Sequence, residues 1–117
     1  MRLSDLIRNV EARILTTRPS RDVEIQRVYA GDRISDLLSQ GAAKTLMITN
    51  LSGIQILHVA ELMDVPAICL VNDIAPEPEL LGVAEEHGTV LLVSPFGMFE
   101  TCGRLYECLH AASEIRP

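Results

Sequence analysis

Apolar residues change their spacing along this chain, from helical steps to alternation and then to unbroken runs. Leu6, Ile7, Val10 and Ile14 recur at helical intervals behind Ser4 and Asp5, predicting a first helix that ends where Pro19 and Ser20 break the pattern. Val23, Ile25, Arg27 and Tyr29 then alternate with Glu24, Gln26, Val28 and Ala30, the periodicity of a strand with one partly polar face. A short helix from Arg33 to about Gln40 is closed by Gly41, and Thr45 to Thr49 predicts the second strand. Ser52 and Gln55 have capping-box spacing at the start of the next helix, whose stripe includes Ile54 and Leu57 and which Pro66 prevents from continuing. Ala67 to Val71 and Val90 to Val93 are unbroken apolar strands, expected to be buried on both faces, with a helix from Glu77 to His87 between them closed by Gly88. Ser94-Pro95 opens the last helix, in which Met98, Cys102, Leu105, Leu109 and Ala112 form one apolar face widened by Phe99 and Tyr106.

Strands alternating with helices at such short spacing predict a mainly parallel sheet with helices on both faces, a three-layer α/β/α fold. At 117 residues the chain is expected to be a single domain with one core. Its 48% hydrophobic content is high, but no apolar run is long enough to span a bilayer, and the first residues lack the apolar centre of a secretory signal, so a cytoplasmic protein without membrane association is expected. Three cysteines with no Cys-x-x-Cys pair fit a reducing compartment.

Charge divides the chain. Seven arginines face five carboxylates up to Arg33, whereas beyond it only Lys44, Arg104 and Arg116 oppose eleven. A body so acidic repels phosphate backbones, and four aromatic residues offer little to stack on bases, so no nucleic-acid partner is expected.

The sharpest local signal is Val28-Tyr29-Ala30-Gly31-Asp32-Arg33-Ile34-Ser35-Asp36, a strand running through Ala-Gly-Asp straight into a helix. Gly31 accommodates a sharp turn, and Asp32 is placed to cap the helix. With the strand and helix units that follow, Gly31, Asp32, Ser35 and Asp36 resemble the DRTGG domain family, related in fold to the N-terminal domain of HPr kinase/phosphorylase. The likeness runs over nearly the whole chain. It departs from the family at Thr49-Asn50-Leu51-Ser52-Gly53 after the second strand, and at Leu70-Val71-Asn72-Asp73 where many members carry Leu-Thr-Gly-Gly. Side chains in place of those glycines would crowd or repel an anionic ligand.

The resemblance implies strand order 2-1-3-4, counting the four long strands. Ligands of open α/β sheets bind beyond the carboxyl ends of strands where the order reverses, here between Gly31-Asp32 and Asn72-Asp73. The candidate ligand-binding residues are therefore Gly31, Asp32, Ser35, Asp36, Thr49, Asn50, Ser52, Gly53, Asn72, Asp73 and Ser94. Family members serve as accessory or regulatory modules beside CBS domains or enzymes, or stand alone.

Catalytic constellations do not assemble. Gly41-Ala42-Ala43-Lys44-Thr45 lacks the glycine before lysine and leads from helix into strand, the reverse of a phosphate loop. His58 and Glu61 are spaced as half of a metal site with no other half, Cys69 and Cys102 fall on apolar faces, and no dinucleotide fingerprint occurs. No catalytic residue, metal or cofactor is expected.

The apolar load of the later helices exceeds what one small sheet covers, which predicts a homodimer with Ile54, Leu57, Met63, Phe99 and Tyr106 near its seam. These readings converge on a regulatory or ligand-sensing domain that binds a small molecule or nucleotide and modulates a partner enzyme in trans. The alternative is a small phosphotransfer or phosphate-ligand component built on an Asp32 and Asp73 crevice.

Overall fold

A computed structural model describes residues 1–17 and 22–115, with side chains through His110. Helix α1 (Leu3–Val10) leads into the short strand β1 (Arg13–Ile14), and four strand units follow: β2 (Arg27–Ala30), β3 (Thr45–Thr49), β4 (Ala67–Leu70) and β5 (Val90–Val93). Helices α2 (Ile34–Gln40), α3 (Ile54–Leu62) and α4 (Pro78–His87) join them, and α5 (Met98–Ile115) closes the fold.

The sheet order is β1-β5-β4-β3-β2, with β2 to β5 parallel in chain order and β1 antiparallel on β5. The expected order 2-1-3-4 is thus corrected: β3 lies between β2 and β4, and no reversal occurs among the parallel strands. Burial explains the arrangement. Every residue of β3, β4 and β5 is buried, as an interior strand requires, whereas β2 is exposed at Arg27 and only half-buried beyond it.

Three successive crossovers of one hand place α2, α3 and α4 on the same face. There Leu37, Ile56, Leu57, Leu80 and Ala84 pack on Met47, Ile68, Leu70 and Leu91. On the other face Leu3, Leu6 and Val10 of α1 and Leu105 of α5 cover Leu46, Ile48, Cys69 and Leu92. Leu57 is wholly buried, so truncation to Ala would cost about 2–5 kcal/mol. That position removes Leu57 from any dimer seam, and Ile54 and Met63 also pack against this core.

Other boundaries moved for local reasons. Glu11 adopts a left-handed conformation (φ 53°) that ends α1, so Ile14 leaves the helix and lies half-exposed on edge strand β1. The break expected at Thr16 to Arg21 falls mostly outside the described residues. Gly88 closes α4 as expected, at φ 75°. Helix α5 starts only at Met98, and Phe99 and Tyr106 face solvent rather than widening its buried face.

Candidate functional site

Beyond the carboxyl ends of β2, β3 and β4, side chains lace three loops together. One Asp32 carboxylate oxygen accepts the backbone N–H of Asn50 at 2.7 Å and the Thr49 hydroxyl at 3.1 Å. The other accepts the Asn50 side-chain amide at 3.3 Å. Asn50 Oδ1 accepts in turn from Asn72 Nδ2 at 2.8 Å, so the loops after β2, β3 and β4 form one hydrogen-bonded chain. Partial burial of Asp32 opposes its ionisation, but the N–H groups of Asn50 and the Thr49 hydroxyl outweigh it and hold the carboxyl below its ordinary value.

Asn72 and Asp73 after β4 are both left-handed, with φ of 61° and 54°. The Ile74 N–H reaches the Val71 carbonyl at 3.3 Å and closes the turn. Such angles cost a residue with a Cβ about 1–3 kcal/mol, with Asn and Asp the most tolerant types. The chain here keeps backbone angles that glycine adopts freely, while the side chains at these positions serve as rim contacts. The Asn72 amide is turned onto Asn50. Asp73 directs its carboxylate to Arg13 of β1 at 3.1 Å.

The loop after β5 is tied in through backbone. Asn72 N–H donates to the Phe96 carbonyl at 2.7 Å and Asp73 N–H to the Ser94 carbonyl at 2.9 Å. Gly97 lies against Asn72, whose Oδ1 would be 3.2 Å from a Cβ at that position. Ser94 itself is fully buried, with its hydroxyl 2.9 Å from that of Thr101, and is turned into the protein rather than onto the rim.

Several expected roles are corrected. The N-cap of α2 is Arg33 with no side-chain cap bond, because the Asp32 carboxylate is occupied by Thr49 and Asn50. Ser35 is exposed on α2, and Asp36 pairs with Arg33 at 3.8 Å, so neither joins the network. The expected capping box is not formed, since the N-cap of α3 is Gly53. The Ser52 carbonyl instead accepts the Glu77 N–H at 3.0 Å, and the Glu77 carboxylate lies over Gly53, 3.0 Å from where a Cβ would stand. With β3 between β2 and β4, the Asp32 and Asp73 loops flank the Asn50 loop and do not face each other across an open crevice.

Arg13, Phe96 and Gly97 were not among the sequence candidates. Gly97, directly after Pro95-Phe96, is a turn signal that points to this loop, whereas Arg13 reaches the rim through an edge strand too short to be read from periodicity. Elsewhere, Glu61 pairs with His87 at 3.7 Å rather than with His58. Among the described residues no group of three or more His, Cys, Asp and Glu is arranged to hold a metal ion. Burial pushes the Cys69 thiol up to about 12 and also raises Cys102 and Cys108. No helix among the described residues is long and apolar enough to cross a membrane.

The layers and the sheet define an α/β domain whose fold is like that of a solved structure that contains CBS and DRTGG domains. That structure comprises the CBS and DRTGG domains of the regulatory region of Clostridium perfringens pyrophosphatase, complexed with its activator diadenosine tetraphosphate. It matches with a TM-score of 0.73 at 14% identity, covering 88% of this chain. The chain spans 45% of the length of that protein chain, and at this identity the likeness is one of fold. No protein-family model and no curated protein sequence matches the chain.

Proposed function

We propose that this chain is a non-catalytic regulatory domain of DRTGG type that senses a small ligand at its carboxyl rim, self-associates as a homodimer and modulates a partner enzyme in trans in the cytoplasm. The observation that carries the reading is the Asp32–Asn50–Asn72 chain, which couples three loops from three parallel strands. A ligand that takes one of these hydrogen bonds disturbs the others, so occupancy is transmitted along the rim rather than remaining local.

The fold's likeness to a regulatory region that takes a nucleotide activator puts nucleotides first among ligands to test. The rim chemistry supports the same choice. Asp32 and Asn50 carry oxygens that amino and hydroxyl donors of a nucleoside reach by displacing Thr49 or Asn72, and Arg13, paired with Asp73, holds a guanidinium near the β4 loop. The phosphotransfer alternative needs Asp32 and Asp73 on one reacting group. Two strand spacings separate their loops by roughly 10 Å, with the Asn50 loop between them.

Thermal-shift and calorimetric titrations of the full chain with diadenosine tetraphosphate, adenine mononucleotides and inorganic phosphate test this reading. A ligand at a hundred times its dissociation constant adds about 2.7 kcal/mol of apparent stability. The expected result is a saturable shift with a nucleotide that Asn72→Ala weakens while the circular dichroism spectrum stays native. Absence of a shift from every compound would replace ligand sensing with a pure protein-interaction role.

A further inference from the structure

The two residues of the loop after β4 are held from two directions, and both lines of contact end at one side chain. Asp73 directs its carboxylate to Arg13 of β1, from which the chain runs back through Ala12 to Glu11 at the end of α1. Asn72 donates its backbone N–H to the Phe96 carbonyl in the loop after β5. Arg104 of α5 takes hold of both far ends, because its guanidinium lies 4.0 Å from the centre of the Phe96 ring and 3.5 Å from the Glu11 carboxylate. The contacts close into a circuit, Asn72–Phe96–Arg104–Glu11–Arg13–Asp73.

Each link is weak alone. An ion pair such as Arg13–Asp73, with both side chains mostly in water, fixes little by itself. Closure changes that, because the β4 loop cannot shift without breaking a link or carrying Arg104 with it. Asn72 and Asp73 also hold left-handed angles, so a loop released from the circuit relaxes toward the commoner regions rather than staying in place. Arg104 spends its other donors on Glu100, at 2.9 Å, and on the Asn9 carbonyl, at 3.4 Å. It lines a groove of about 870 Å³ between α1 and α5, so a change in its seat alters the charge that this groove presents.

We infer that Arg104 is the residue through which the state of the carboxyl rim reaches the α1–α5 face. This inference rests on the ligand sensing proposed above and names the route by which occupancy leaves the rim. Arg104 makes its contacts with Phe96, Glu11, Glu100 and Asn9, so it acts as a positioning residue and not as a ligand contact.

Nitrogen-15 NMR of the full chain tests the connection without a ligand, through the Arg104 Nε–H resonance, assigned by its loss in Arg104→Lys. Asp73→Gly removes the carboxylate while keeping the left-handed backbone, and it should shift that resonance and the Gly103 amide while the amides of Gly82 and Gly88 stay in place. Asp36→Asn removes an ion pair outside the circuit, with Arg33, and should leave Arg104 unmoved. The reverse experiment keeps the rim sequence intact: Arg104→Gln should shift the Asn72 and Asp73 amides, since coupling between two places is reciprocal. An Arg104 resonance unmoved by Asp73→Gly, with rim amides unmoved by Arg104→Gln, would overturn the inference. Titration of wild type with diadenosine tetraphosphate separates it from the reading on which it rests. Rim amides that saturate while the Arg104 resonance stays in place would overturn the route and leave ligand sensing standing. No response to the nucleotide, with both variants behaving as expected, would support the route and count against nucleotide sensing alone.

Discussion

The side-chain amide of Asn72 donates to Oδ1 of Asn50 at 2.8 Å, joining the loop after β4 to the loop after β3. Asn72 makes this bond from a left-handed backbone (φ 61°). Two opposing effects therefore meet at one residue, and substitutions separate them. Asn72→Ala keeps the backbone strain and loses the bond, which should lower stability by about 1–2 kcal/mol. Asn72→Gly loses the same bond but relieves the backbone, so its loss should be smaller. Urea unfolding of the two variants gives the order, and equal losses would remove the argument from backbone strain.

Asp32 gives the rim a pH dependence. Its folded value lies below the unfolded one of about 3.9, so its contribution is complete above that value and is lost as pH falls through the folded value. The group is mostly solvent-exposed, which limits the effect to about 1 kcal/mol. Asp32→Asn should thus be less stable than wild type near neutrality, and the gap should close as pH falls from about 6 to about 2. A constant gap across that range would show that the ionised carboxylate contributes nothing specific.

Thr45 is fully buried at the start of β3, and its hydroxyl has no hydrogen-bond partner among the described residues. An unsatisfied buried hydroxyl costs about 1–3 kcal/mol, and valine has nearly the same shape without it. Thr45→Val is expected to raise the unfolding free energy by about 1 kcal/mol in denaturant titrations. A destabilised Thr45→Val variant would mean that the hydroxyl has a partner such as an internal water.

Cys69 lies in the centre of the sheet with its thiol pushed up to about 12 by burial. It should resist iodoacetamide at pH values near 8 in the folded protein and react only after unfolding. Cys102 and Cys108 are only partly buried, so both should label faster than Cys69. Mass spectrometry of partly labelled protein reads this order directly, and early modification of Cys69 would contradict its place in the core.

How much of this could be read beforehand differs between elements for physical reasons. The unbroken runs Ala67 to Val71 and Val90 to Val93 announce interior strands because both of their faces are covered, and β4 and β5 are interior. The alternation from Val23 to Ala30 has one partly polar face, which alone does not fix a strand's place in the sheet. The family resemblance implies an interior place, whereas β2 is at the edge. Arg13–Ile14 makes only two residues of strand, below the length at which alternation can be seen.

At the carboxyl rim, Asp32, Thr49, Asn50 and Asn72 are legible because polar residues follow apolar strands at each of these points. Their hydrogen-bond partners are not. A capping role for Asp32 competes with the donors of Asn50 and Thr49, and only the adjacency of β2 and β3 decides between them. Ser94 looked like a rim residue for the same local reason, but the packing of α5 turns it inward onto Thr101.

The most direct test of the central proposal is a nitrogen-15 NMR titration of the full chain with diadenosine tetraphosphate and with adenine mononucleotides. Saturable shifts are expected on the amides of Gly31, Asn50, Asn72 and Asp73, spreading across all three loops from a single binding event. Saturating binding that moves amides elsewhere and leaves these four in place, or no response to any nucleotide, would contradict it.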